Sequence, residues 1–137
     1  MRWRFAILLS VAGYLSVACN SVVDPSNNVT TTFTGTIPVQ GTTIPGNAWT
    51  TDKTGEYSIK VTSLTPNNGV YFGTILSYAA ADGTCVGQLQ PIQQNSFGTV
   101  NTPLMAGAIY PGNYCVFLFD VGFFTTAQSY TLSVSHP

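Results

Sequence analysis

Glu56-Tyr57-Ser58-Ile59-Lys60-Val61-Thr62-Ser63-Leu64 alternates apolar and polar side chains. Tyr57, Ile59, Val61 and Ser63 share one face and Ser58, Lys60 and Thr62 the other, the period of two expected of a strand with one buried face. Upstream, Lys53-Thr54-Gly55 reads as a hairpin turn back to a strand at 48–52, with Gly55 supplying positive φ. The same grammar extends in both directions. Thr31 to Val39 is rich in β-branched residues, and 70–78, 84–90, 100–108, 113–121 and 129–135 read as further strands. Asn67-Asn68-Gly69, Asp82-Gly83 and Tyr110-Pro111-Gly112 mark turns, while Gln88 to Gly98, with four Gln and a Pro, reads as a long loop. About eight antiparallel strands at this spacing predict an all-β, jelly-roll-like β-sandwich over 31–137.

Composition narrows the class of partner. Only 7% of the 137 residues are charged, with four Lys and Arg against five Asp and Glu. Nothing basic is available to hold a phosphate backbone, which excludes nucleic acid as a natural partner.

The N-terminus reads as an address. Arg2 and Arg4 precede an apolar run from Phe5 to Leu15, and small residues follow at Ser16-Val17-Ala18-Cys19, so 1–18 is expected to be a secretory signal peptide. The run is too short for the roughly 18–20 apolar residues that span a bilayer. Leu15-Ser16-Val17-Ala18-Cys19 resembles the bacterial lipoprotein box, which implies lipidation of Cys19, acylation of its new amino group and a stable membrane anchor. Cleavage after Ala18 with a free Cys19 is the alternative. Residues 19–30 are expected to form a flexible tether behind that anchor. Removal of 1–18 takes away both arginines, leaving Lys53 and Lys60 against Asp24, Asp52, Asp82, Asp120 and Glu56. Bidentate recognition of phosphate or carboxylate is then unavailable. Asn28-Val29-Thr30 matches the N-glycosylation pattern, read as chance in a bacterial lipoprotein.

With Cys19 assigned to lipid, Cys85 and Cys115 remain as an even pair, each expected in a strand of an exported domain, and are predicted to form a disulfide. A loop of this length implies roughly 3–4 kcal/mol of stabilisation in the chain-entropy description.

Four segments carry a family likeness. Thr32-Phe33-Thr34-Gly35-Thr36-Ile37, the stretch from Thr54 to Leu64, Pro111-Gly112-Asn113-Tyr114-Cys115-Val116-Phe117-Leu118-Phe119 and Tyr130-Thr131-Leu132-Ser133-Val134 occur in an order that resembles the bacterial pre-peptidase C-terminal domain. The resemblance covers nearly all of 31–136. It implies a jelly-roll sandwich and an accessory module of exported enzymes, with some relatives binding collagen or other polymers with calcium support. This chain departs from the pattern where an acidic run is expected: Asn67-Asn68-Gly69-Val70-Tyr71-Phe72-Gly73 lacks the carboxylates that a hard cation needs. No attached protease is expected, and no metal or other cofactor is expected.

Catalytic constellations are sparse. His136, the single histidine, lies next to the C-terminus and reads as a surface residue. No Gly-x-Ser-x-Gly context supports a nucleophile. The carboxylates read as turn residues, with Asp82 and Asp120 the remaining candidates for paired-carboxylate chemistry.

The segment from Tyr114 to Phe124 is the most informative for binding. Alternation points Tyr114, Val116 and Leu118 inward and Cys115, Phe117 and Phe119 outward, near Phe123 and Phe124. Two readings follow: an exposed patch of Phe117, Phe119, Phe123 and Phe124 that grips a ligand, or a second small core beneath the 88–98 loop. The functional expectation is a non-enzymatic, lipid-anchored protein of the bacterial cell envelope, at the outer membrane or cell surface. Its binding or adhesion role would address a glycan, matrix polymer or protein. The alternative is an accessory or inhibitor-like partner of an exported hydrolase.

Overall fold

The computed structural model describes residues 22–87 and 90–137. The expected signal peptide and Cys19 lie outside the described residues. Eight strands follow in order: β1 (Val29–Ile37), β2 (Asn47–Thr51), β3 (Gly55–Thr65), β4 (Phe72–Tyr78), β5 (Pro91–Gly98), β6 (Met105–Ile109), β7 (Gly112–Phe119) and β8 (Gln128–His136). They form two four-stranded sheets, β1-β8-β3-β6 and β2-β7-β4-β5, in which every neighbouring pair is antiparallel. Apart from the β4–β5 connection, each link carries the chain from one sheet to the other. This is a jelly-roll sandwich, as the strand grammar predicts.

Alternation explains the core. Tyr57, Ile59 and Val61 of β3, Leu132 and Val134 of β8 and Tyr114, Val116 and Leu118 of β7 meet between the sheets. One detail of β3 differs from strict alternation. Its register with β8 shifts between Val61 and Ser63, so Leu64, not Ser63, is the next buried side chain. A bulge inserts one residue and reverses the faces beyond it.

Four further expectations change. The Lys53-Thr54-Gly55 turn closes no hairpin, because β2 and β3 belong to different sheets. Cys85 lies in the connection after β4 and not in a strand, whereas 91–98 is strand β5 and not a loop. Pro91 stands at the first position of that strand and β5 has a single neighbour, β4. At an edge a missing N–H costs no ladder bond, so polar, proline-led sequence is accommodated there. The expected tether is also partly taken up by the fold. Val23 donates its N–H to the Thr54 carbonyl at 2.8 Å, Pro25–Asn27 form a 3-10 turn, and β1 begins at Val29. Asn28 donates its side-chain amide to the Glu56 carbonyl at 2.8 Å, so this end of the expected tether is tied to β3.

Candidate binding site

The four phenylalanines expected as a patch separate into three environments. Phe117 is completely buried, Phe119 is half-buried, Phe124 belongs to the main core and Phe123 is exposed. Phe117 forms a small second core on the outer face of β7 and β4 with Ile75, Cys85 and Cys115, against which Ala79 and Phe119 pack. The ring of Phe117 lies against Gly46, where a Cβ would come within 2.6 Å of it, and Phe119 lies across its cross-strand neighbour Gly73, where a Cβ would collide with the ring. Each ring lies against backbone that only glycine allows to approach so closely. The second small core therefore forms, and the expected patch of Phe117, Phe119 and Phe124 does not. The backbone of Gly46 lies directly against the Phe117 ring. Gly46 donates to the Cys85 carbonyl at 2.8 Å, so Gly46 and the Cys85 loop close over Phe117 together. The Cys85–Cys115 disulfide, with Cα atoms 5.7 Å apart, fastens that loop to β7.

A different aromatic cluster is open. Tyr71, just before β4, is 45% exposed; Phe97, near the end of β5, is 69% exposed; and Phe123, in the β7–β8 loop, is 53% exposed. The Tyr71 ring centre lies 6.2 Å from that of Phe97 and 5.8 Å from that of Phe123. Antiparallel pairing brings them together, since the start of β4, the end of β5 and the end of β7 share one end of the sheet. Phe123 belongs to the patch expected from sequence; Tyr71 and Phe97 do not, the first placed within an expected strand and the second within an expected loop.

Asp120 braces this end. Its Oδ1 accepts the N–H groups of Gly122 at 2.7 Å, Phe123 at 3.0 Å and Phe124 at 3.2 Å, and its Oδ2 accepts that of Gln40 at 2.8 Å. Burial pushes the carboxyl upward, but the four N–H groups outweigh it and hold Asp120 below the ordinary carboxylate range. Asp82 is likewise lowered by the Thr84 hydroxyl and N–H that it accepts. Each of these two carboxylates organises its own loop.

His136 is not on the surface. Pairing of β8 between β1 and β3 draws His136 inward, and its imidazole lies 4.7 Å from the Trp49 ring, tilted at 35° to it, with Nε2 at 3.1 Å from the Thr31 hydroxyl and Nδ1 at 3.1 Å from the Pro137 carbonyl. Among the described residues no group of three or more His, Cys, Asp or Glu comes together as a metal site. A cleft of about 380 Å³ over the outer face of β1, β8 and β3 is lined by Thr34, Thr36, Ser63, Thr65, Ser129 and Thr131, with the Tyr130 ring below, and no carboxylate enters it. No protein-family model matches this chain, and no curated protein matches it.

Proposed function

We propose that this chain is a non-catalytic binding lipoprotein of the bacterial cell envelope, anchored through Cys19, that presents the Tyr71, Phe97 and Phe123 cluster to a glycan, a matrix polymer or a protein. The observation that carries the reading is the exposure of three adjacent aromatic rings on a rigid end of the sandwich. Exposed rings grouped in this way mark an interaction surface, because burying them releases apolar area at small entropic cost. Kinship with pre-peptidase C-terminal domains belongs to the same proposal. It is supported by the jelly-roll order and by the four resembling segments, which fall on β1, β3, β7 and β8.

Two measurements test it. Mass spectrometry of the mature N-terminus should find Cys19 carrying acyl chains, and an unmodified Cys19 would end the anchor claim. Pull-down on polysaccharides and on collagen should retain the full chain and lose it on triple substitution of Tyr71, Phe97 and Phe123 by Ala. Equal retention of both proteins would remove the cluster from the reading.

A further inference from the structure

We infer that the Tyr71, Phe97 and Phe123 cluster takes a single neutral oligosaccharide chain, and neither a flat crystalline polysaccharide face nor a protein. This rests on the binding reading above and names the ligand class of that site.

Ring orientation is the first argument. The planes of Tyr71 and Phe97 meet at 82°, and those of Tyr71 and Phe123 at 60°. Stacking on a flat crystal face requires rings that lie in one plane, which these three cannot satisfy together. A single sugar chain presents C–H faces in several directions, and mutually tilted rings form a corner around it.

Charge is the second. The segments 38–43, 66–71, 97–104 and 120–127, at or beside this end, contain no Lys or Arg, and their single carboxylate, Asp120, already accepts four backbone N–H groups. A uronate, sulfate or phosphate would find no counter-charge there. These segments offer exposed neutral groups instead, among them Asn67, Asn68, Thr102, Thr125 and Thr126. Amides and hydroxyls supply both donors and acceptors to sugar hydroxyls.

Size is the third. Three half-exposed aromatic side chains present roughly 300 Å², well below the about 800 Å² that each partner gives to a stable protein interface. The patch suits a ligand of a few sugar rings. Bracing by Asp120 limits the ordering cost on binding, as preorganised sites require.

The test uses the full-length chain. It is titrated by calorimetry with soluble cello-, chito-, xylo- and malto-oligosaccharides, and retention is measured on microcrystalline cellulose, crystalline chitin and collagen. The inference expects saturable binding to at least one soluble oligosaccharide, weakened about tenfold or more by Tyr71→Ala or Phe97→Ala, with unchanged circular dichroism and Tm. Retention only on crystalline polysaccharide, or only on collagen, overturns the inference and leaves the broader binding proposal standing. Oligosaccharide binding indifferent to both substitutions overturns it too, and absence of binding to every probe overturns both.

Discussion

The phenol of Tyr130 donates to Oδ1 of Asn47 at 2.9 Å across the interior of the sandwich, joining β8 of one sheet to β2 of the other. Asn47 passes the connection on, donating Nδ2 to the Val116 carbonyl of β7 at 3.0 Å. Both side chains are buried, so each supplies a partner that the other cannot obtain from water.

Tyr130→Phe leaves the Asn47 oxygen without its donor and is expected to cost about 1–3 kcal/mol. Urea unfolding of Tyr130→Phe, Asn47→Ala and the double variant should show clear non-additivity. Additive costs would show that the two side chains contribute independently.

The same phenol makes stability fall in alkali. Burial raises Tyr130 above the ordinary 10.0, partly offset by its Asn47 bond; burial also raises Tyr57, and it raises Tyr114 along with the charge of Tyr78. A phenol whose folded value is raised contributes stability that is complete below the unfolded value and disappears as pH climbs through the folded one. Unfolding free energy should therefore decline from about pH 10 upward, and less steeply in Tyr130→Phe.

Asp120 acts with the opposite sign. Its folded value is lowered, so its contribution is present above the ordinary 3.8 and is lost as pH falls below it. Asp120→Ala should cost on the order of 1 kcal/mol at neutral pH and flatten the acid limb. Hydrogen exchange at Gly122, Phe123 and Phe124 should accelerate, and unchanged exchange would show that the carboxylate does not hold that loop.

Two phenylalanines six residues apart should answer substitution very differently. Phe117→Ala empties the second core and is expected to cost about 3–5 kcal/mol. Phe123→Ala removes an exposed ring and should stay within about 0.5 kcal/mol. Comparable losses in thermal unfolding would contradict the assigned burial.

Cys85 is 3% exposed and Cys115 not at all. The disulfide should resist thiol reagents until the domain opens, and joint substitution by Ala should remove about 3–4 kcal/mol, since it releases a 30-residue separation in the unfolded chain. Rapid reduction under native conditions, followed by mass shift after alkylation, would contradict that burial.

Much of the architecture was legible because strand faces follow a local rule. Tyr57-Ser58-Ile59-Lys60-Val61 assigns its own inward set, and Tyr114 to Phe119 assigns both of its faces correctly. The rule fails where a bulge shifts the phase, as at Val61 and Ser63, and where an edge position removes the demand for apolar alternation, as in β5. His136 was misplaced because proximity to a chain end says nothing about whether the final strand lies between two others.

The sequence by itself determined an all-β sandwich, the pairing of Cys85 with Cys115 and the division of Tyr114–Phe119 into two faces. Backbone geometry repeats every two residues and makes such patterns local. Tertiary structure alone decided which aromatic rings face water. Phe117 is closed off by Gly46, distant in sequence, whereas Tyr71, Phe97 and Phe123 are assembled by strand register at one end of a sheet. Exposure depends on which remote segment crosses a face, and no local pattern encodes that crossing.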